Sequence, residues 1–466
     1  MNSLSKLYFV LPINTPYFVH YGIKMKTFLK ICSSYKFWVG FCFIYSVVFA
    51  FFFRFSNPEK RHNVVISDAK GYYAYFSGFF IYDDLNFNFN QTVELKDHPE
   101  TQYTDYRYKL DKDRVYTKYY IGTAIAYTPM LLSAHAISVG LGWPSDGYTL
   151  WYHYAVVLAS LIYLTLAMIF MRSVFEYFDI KSWVKNLIIV GVYLGTNWFF
   201  YTTWESGLSH SYSAAVIACF LALFIKYKQN LTPRRMANLG ALLGFIILLR
   251  PTNLFVVAFL PIFFPSRAEF TVFFRNSILR NKATIAGLLT VFSVVFIQLI
   301  CYKVQIDQWY IYAYEGEGFN FLKPNIQKFL FSIRKGYFIY TPIMIFSLFG
   351  LYRWYKKSKF QVSYWLLIMF AHIYILSCWH MWWYGGTFGT RVMVEYYIFW
   401  MIPLGVFFSS ISRKYVYLST PLFLFFILNG QLQTYSYIHG MLLWDNMTWK
   451  LFKDVFLFPM VPYGTF

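Results

Sequence analysis

Charged side chains are scarce in this 466-residue sequence: Asp, Glu, Lys and Arg together make up 13% of it, while hydrophobic residues make up 58%. A soluble domain carries roughly twice that share of charge. Apolar runs close to the thickness of a bilayer core recur between Trp38 and Gly430, and no soluble domain separates them. We therefore predict an all-α, polytopic integral membrane protein.

Acidic residues are especially few, since 21 Asp and Glu face 41 Lys and Arg, which leaves a net charge of +20. The basic excess lies in short loops between the apolar runs, at 172–185, 226–235, 267–282 and 354–360. This is the pattern of cytoplasmic loops, which meet the anionic headgroups of membrane lipids. It predicts a multi-pass protein of the cell (inner) membrane with a cytoplasmic amino terminus, and it argues against nucleic acid as a partner.

Cysteine is rare and follows no pattern. Its five positions show neither the pairing of a disulfide scaffold nor the spacing of a metal site, so we predict buried thiols that act as small apolar residues. They are Cys32, Cys42, Cys219, Cys301 and Cys378. A small-residue cleavage site is also missing after the first apolar run, which predicts an uncleaved anchor rather than a signal peptide.

The apolar runs predict about eleven membrane-spanning helices. These are 36–53, 150–171, 186–203, 208–226, 236–250, 252–265, 284–303, 337–353, 361–378, 394–410 and 415–431. The predicted units are a cytoplasmic amino terminus with the first span (1–53), a first periplasmic loop (54–148), a transmembrane core (150–303), a second periplasmic loop (304–336), a carboxyl-terminal transmembrane module (337–431) and a periplasmic end (432–466).

The apolar stretch 119–142 is predicted not to cross the membrane. If both it and 150–171 crossed, the basic loop 172–185 and every later basic loop would lie outside. Gly122, Pro129 and several hydroxyl groups make 119–142 the weaker candidate. We therefore predict interfacial helices in the long first loop, one here and one in 68–82.

Asp68 draws attention in "VVISDAKGYYAYFSGFF" (64–80), because a carboxylate follows directly on the first span. One interpretation is an ordinary solvated loop residue. Another is a helix cap made by Ser67 or Asp68. A cap position would also hold the carboxylate rigidly at the membrane surface, so capping and catalysis are compatible.

Three further sites combine polar residues with helix breaks. Arg250, followed by proline, is either a hairpin arginine that reaches headgroups or a cation that binds a lipid phosphate. Glu205 and His210 are five residues apart, but no third metal ligand is evident, so a divalent metal stays a weaker alternative to hydrogen bonding in an outer cavity. In "WHMWWYGGTFGTR", which ends at Arg391, the tryptophans suit an apolar groove, a sugar face or simply an interfacial belt.

The order of these motifs resembles one family. "SDAKGYY", "GTNWFFYTTWESGLSHSYS", "LLRPTN", "RKGYFIYTPIM" and "WHMWWYGGTFGTR" follow an inner anchor and a long outer loop, as in the GT-C superfamily of polyprenyl-phosphate-dependent glycosyltransferases. The resemblance is to bacterial members related to protein O-mannosyltransferases and aminoarabinose transferases, and it covers 38–397. It implies a GT-C-like fold and a catalytic aspartate in the first outer loop, at Asp68. Ala69 stands where the family's usual Asp-Glu pair would place the second acid.

A lipid-phosphate donor needs cations at its leaving group and one base for the acceptor hydroxyl. The resemblance thus implies inversion with Asp68 as base, and transfer to a protein, lipid or glycan. The donor phosphate would be held by Arg250, Arg391, Arg334 and Lys335. Candidates for acceptor or sugar binding are Lys70, Tyr72, Tyr73, Glu205, His210, His380, Trp382 and Trp383. No cofactor is firmly predicted.

Two other functions fit a polytopic protein. A transporter or lipid flippase would show internal repeats and broken helices with charges near the midplane, and the sequence has no such repeat. A polysaccharide polymerase or ligase would also use a lipid-linked donor. Such an enzyme normally carries its functional loop later in the chain, whereas the largest loop here is the first.

Overall fold

The computed structural model describes residues 33–456 except 102–103, 112–113 and 315. The predicted amino-terminal residues 1–32, with Cys32, and the end of the chain, 457–466, lie outside the described residues. Within the described part, the regular secondary structure is helical apart from one short two-stranded sheet and a single β-bridge between Phe319 and Trp379. The prediction of an all-α architecture is confirmed at this level.

The elements follow each other along the chain in three groups. The first group is α1 (Tyr35–Ala50, continued by a π-turn at Phe51–Phe55), α2 (Asp68–Phe80), a π-turn (Asn90–Glu94), a 3₁₀ turn (Pro99–Thr101), β1 (Tyr108–Lys109), β2 (Val115–Tyr116) and α3 (Gly122–Gly140). The second is α4 (Leu150–Tyr177), α5 (Ser182–Leu194), α6 (Trp198–Thr203), α7 (His210–Tyr227), α8 (Pro233–Leu249), a 3₁₀ helix (Pro251–Phe263), α9 (Arg267–Phe273, continued by a π-turn at Phe274–Leu279) and α10 (Ala283–Ile306). The third is α11 (Ile326–Phe331), α12 (Tyr337–Tyr340), a 3₁₀ turn (Pro342–Met344), α13 (Ile345–Lys357), α14 (Lys359–Ser377), a 3₁₀ turn (Arg391–Tyr396), α15 (Tyr397–Ser410), α16 (Arg413–Ile438) and α17 (Trp449–Phe456).

Six helices of the described chain are long and apolar enough to cross a membrane, or seven if the bent pair Pro251–Phe263 and Arg267–Leu279 counts as one span. The six are Tyr35–Phe55, Leu150–Tyr177, His210–Tyr227, Ala283–Ile306, Lys359–Ser377 and Arg391–Ser410. This supports a membrane protein, but the predicted number of about eleven spans is not confirmed. The predicted interfacial stretch 119–142 forms α3 and is not among the six.

Several predicted spans are broken or shortened. The predicted span 186–203 consists of α5 and α6, because the helix ends at Leu194 and resumes at Trp198. The predicted span 252–265 is a 3₁₀ helix that contains Pro261. The predicted span 337–353 comprises α12, a 3₁₀ turn around Pro342 and the first part of α13. Proline removes a backbone donor, which accounts for the 3₁₀ segments at Pro251–Phe263 and Pro342–Met344; no proline lies in 186–203.

Local chemistry explains the break that places Arg250. Thr232 caps α8 by accepting a hydrogen bond from the backbone N–H of Arg235, and Pro233 occupies the first helical position, where its missing N–H costs nothing. At the other end Pro251 restricts its predecessor, and Arg250 is extended (φ −158°, ψ 118°). The arginine therefore lies at the break between α8 and the following 3₁₀ helix.

The segment between α1 and α4 packs onto the helical bundle through a close glycine contact. A Cβ on Gly122 of α3 would lie 2.3 Å from the backbone carbon of Leu248, so α3 and α8 meet backbone to backbone. Helix α2 packs on α3 and is buried around most of its circumference, including Lys70 and Ser77, rather than on one apolar side. The start of α2 is thereby held beside the break at Arg250.

Candidate active site

The segment between α1 and α4, the segment between α10 and α11, the break at Arg250 and the turn before Arg391 line a cavity of about 400 Å³. Its wall includes the start of α2, the segment that leads into α3, the start of α7, the break after α8 and the 310–319 segment. Asp68, Arg250 and Arg391 all line it. The structure therefore brings together three residues that the sequence places in three separate motifs.

Asp68 is the first residue of α2, and both of its carboxylate oxygens have partners. Oδ1 accepts a hydrogen bond from the Tyr119 hydroxyl at 2.6 Å, and Oδ2 accepts one from Nη2 of Arg391 at 2.9 Å. Burial alone would raise the pKa of Asp68, but the charge of Arg391 and these hydrogen bonds lower it below its usual value. With 30% of its side chain exposed, the carboxylate is ionised at neutral pH and open to the cavity.

The capping interpretation does not fit this geometry. Ser67 is the residue before α2 and makes no side-chain cap hydrogen bond. Its φ of 50° lies in the left-handed region, which non-glycine residues seldom adopt. The chain thus enters α2 through a strained residue, while the Asp68 side chain turns toward Tyr119 and Arg391.

Arg391 follows a glycine-rich turn that ends at the cavity wall. Gly385 and Gly389 have φ values of 73° and 61°, which side-chain-bearing residues rarely adopt. The side-chain amide of Asn197 donates a hydrogen bond to the carbonyl of Phe388 at 2.9 Å and so stabilises the turn. Arg391 is 18% exposed, so its guanidinium holds Asp68 and still reaches the cavity.

Arg250 belongs to a second charged group, with His210 and Glu395. Nδ1 of His210 lies 2.9 Å from Oε2 of Glu395, and Nε of Arg250 lies 3.6 Å from Oε1 of the same carboxylate. Glu395 is 1% exposed, whereas Arg250 is 20% exposed and lines the cavity. Glu395 thus holds Arg250 on the side away from the cavity, and the Arg250 guanidinium still faces the cavity.

An ion pair at the cavity wall joins the segment before α3 to the segment after α10. Nζ of Lys118 lies 2.9 Å from Oε1 of Glu317, and its ammonium is 5.5 Å from the centre of the Tyr314 ring. Tyr312 donates to the carbonyl of Glu317 at 2.8 Å. Residues 310–314 and Phe319 therefore line the site with aromatic rings.

Two predicted acceptor residues near Asp68 have structural partners instead. Lys70 is buried and forms an ion pair with Glu94 at 3.1 Å. Tyr73 is buried and donates to the carbonyl of Gly147 at 2.5 Å. Neither lines the cavity, whereas Tyr72 does.

The predicted phosphate ligands Arg334 and Lys335 also lie outside the cavity lining. Arg334 pairs with Asp445, and its guanidinium stacks 3.7 Å from the centre of the Trp383 ring. Burial lowers the pKa of Lys335 to about 7 and raises that of Glu205 to about 7, and each of these two groups moderates the shift of the other. These residues form a separate charged region behind Arg391.

Of the remaining candidates for acceptor or sugar binding, His210 lines the cavity and the others lie outside its lining. His210 lines the cavity, but it pairs with Glu395 and not with Glu205, so the predicted metal pair is not assembled. Among the described residues, no group of three or more His, Cys, Asp and Glu side chains could hold a metal ion. His380, Trp382 and Trp383 are not part of the lining, although their neighbour Trp379 is.

Comparison with known proteins assigns no family to this chain. No protein-family model matches the chain, and a search of curated proteins finds no significant match. The site is therefore interpreted from its own residues.

Sequence reasoning missed two residues that organise the site, Tyr119 and Glu395. The sequence places Tyr119 only within the non-spanning stretch 119–142 and Glu395 only at the start of the predicted span 394–410. A carboxylate at the start of an apolar run is a costly residue, and that cost was the available signal for Glu395. Tyr119 had no comparable signal among 43 tyrosines.

The arrangement offers one ionised carboxylate and two arginine cations in a shared cavity. A carboxylate of this kind accepts a proton from a hydroxyl group at hydrogen-bond distance. A guanidinium matches the oxygens of a phosphate and stays charged. The cavity thus combines a base with groups that stabilise an anionic leaving group.

Proposed function

We propose that the protein is a membrane glycosyltransferase of the GT-C type, which transfers a sugar from a polyprenyl-phosphate donor to an acceptor hydroxyl on a protein, lipid or glycan. The observation that carries the proposal is the shared cavity of Asp68, Arg250 and Arg391. We further propose that the cavity opens on the periplasmic side and that the shorter apolar helices complete about eleven crossings of the inner membrane.

In this mechanism Asp68 accepts the proton of the acceptor hydroxyl while that oxygen attacks the anomeric carbon. The bond between that carbon and the phosphate oxygen breaks, and the lipid phosphate leaves as an anion with the bonding electrons. Because the attack and the departure take place on opposite faces of the sugar, the configuration inverts. Arg250 and the free face of Arg391 stabilise the leaving phosphate.

Two features of the site support this division of roles. Arg391 touches Asp68 directly, so the base and one cation lie in contact. Arg250 is anchored on a different acid, Glu395, and belongs to a separate part of the wall. A base and a phosphate site side by side are what transfer from a lipid phosphate requires.

The test is Asp68→Asn, which keeps the size of the side chain but cannot take a proton. Turnover with a lipid-phosphate sugar should fall by about 10²–10⁴-fold, while donor affinity stays near that of the wild type. Asp84→Asn is the matched control, because Asp84 lies in the same outer segment and accepts backbone N–H groups of Asn86 and Asn88. Full activity of Asp68→Asn would remove Asp68 from the mechanism.

A further inference from the structure

Tyr119 lies against the first turn of α2, at the end of the segment that leads from β2 into α3. Its hydroxyl donates to Oδ1 of Asp68 at 2.6 Å, and its ring centre is 5.0 Å from that of Tyr72. Burial, followed by the charge of Asp68, raises the pKa of Tyr119 well above its usual value. Tyr119 therefore keeps its proton and acts only as a donor to the carboxylate.

Gly71 explains how the Tyr119 ring reaches this position. A Cβ on Gly71 would lie 1.9 Å from Cδ2 and 2.4 Å from Cε2 of Tyr119, so the ring packs directly against the backbone of α2 at Gly71. A glycine within a helix is destabilising relative to alanine. The presence of glycine at position 71 is explained by the Tyr119 ring, which occupies the space that a side chain would need.

We propose that Tyr119, seated on Gly71, is a positioning residue that fixes the orientation of the Asp68 carboxylate for proton transfer; this rests on the proposed function. With Tyr119 on one oxygen and Arg391 on the other, rotation of the carboxylate about its last bond is blocked. Each carboxylate oxygen has two lone pairs, so each keeps one for an acceptor hydroxyl. The geometry of attack is then set before the acceptor arrives.

Charged and titratable groups face Asp68 from several elements. Arg391 comes from the cavity wall after the glycine-rich turn and Glu205 from the charged region behind it. Lys118 and Tyr119 come from the segment before α3, Tyr314 from the segment after α10, and Tyr72 from α2 itself. Burial acts to raise the pKa of Asp68, while Arg391, Tyr119 and Lys118 lower it. Loss of the Tyr119 hydroxyl removes one of the lowering interactions and leaves the others in place.

The experiment is Tyr119→Phe in the full-length protein in nanodiscs, with two readouts. The first is an infrared titration of the protonated Asp68 carboxyl band, assigned by its absence in Asp68→Asn. The second is the pH dependence of turnover with a lipid-phosphate sugar. Tyr106→Phe is the matched control, because Tyr106 donates to another buried carboxylate, Glu94, at 2.7 Å.

We expect Tyr119→Phe to move the carboxyl titration and the acid limb of the pH profile to higher pH, and to lower kcat by about 10- to 100-fold without a matching rise in donor KM. Gly71→Ala, which displaces the ring, should shift the titration in the same direction. Tyr106→Phe should shift neither readout.

A titration and a pH profile unchanged in Tyr119→Phe would overturn the proposal, as would an equal shift in Tyr106→Phe. If the wild type transfers no sugar but the infrared titration shifts only in Tyr119→Phe, the proposed function fails while the control of Asp68 by Tyr119 stands.

Discussion

The ion pair between Lys70 and Glu94 provides a strong test of the outer loop, because Lys70 follows Asp68 by two residues. The two side chains are 0% and 2% exposed and 3.1 Å apart. Glu94 also accepts hydrogen bonds from the hydroxyls of Tyr106 and Tyr148, both at 2.7 Å. The carboxylate is thus the centre of a buried network that ties α2 to the rest of the loop.

Lys70→Met should be strongly destabilising, since it leaves a buried carboxylate without its cation. Loss of one partner from a buried pair costs about 3–5 kcal/mol, whereas neutral replacement of both partners is often close to neutral. In Lys70→Met/Glu94→Gln the amide still accepts the tyrosine hydrogen bonds. The double variant should therefore recover much of the loss, with a coupling energy of about 2–3 kcal/mol.

The assay is the free energy of unfolding in mixed micelles for the wild type, both single variants and the double variant. Lys303→Met is the control, because Lys303 and its partner Asp307 are 40% and 77% exposed, and an exposed pair contributes at most about 1 kcal/mol. Single variants that each cost less than about 1 kcal/mol, or a double variant that costs the sum of both, would refute the reasoning.

Three further predictions concern the donor site, the packing of α3 and the topology. Arg250→Gln should weaken binding of the lipid-phosphate donor by about 1.5–3 kcal/mol in an equilibrium binding assay. Arg61→Gln is the control and should leave donor affinity unchanged, because Arg61 is exposed. Equal donor affinities of Arg250→Gln and the wild type would place the phosphate elsewhere. Gly122→Ala should lower the thermal unfolding midpoint, because its Cβ would lie 2.3 Å from Leu248, while Gly140→Ala, which meets no atom within 4 Å, should not. Single cysteines placed in 172–185 should resist labelling from outside, and those in 54–118 should react; labelling of 172–185 would contradict the predicted sidedness.

The positions of apolar segments were predictable from composition, but their continuity was not. The predicted span 150–171 lies within α4, and 284–303 within α10. The break between α5 and α6 arises where Gly195 and Gly430 pack backbone against backbone, since a Cβ on Gly430 would lie 2.7 Å from the Gly195 carbonyl carbon. A contact between residues so far apart in the chain leaves no trace in the local hydropathy of 186–203.

The candidate site divides in a similar way. Asp68, Arg250 and Arg391 were selected because each is a charged residue at a break in an apolar pattern, and all three line the cavity. Arg334 and Lys335 met the same criterion, yet they belong to the neighbouring region because Asp445 and Trp383 hold Arg334 there. Which charge meets which partner is decided by helix packing, and Asp68 and Arg391 are 323 residues apart in the chain.

The backbone contact between Gly122 and Leu248–Leu249 has a consequence for the dimensions of the cavity. Tyr119 precedes this contact by three residues and Arg250 follows it by one, so a single junction sets how far the partner of the base lies from the second arginine. Membranes of different thickness tilt or slide whole helices. Because the backbones of α3 and α8 are in contact at this point, such movements should displace Tyr119 and Arg250 together. The distance between these two side chains should therefore stay constant in membranes of different thickness.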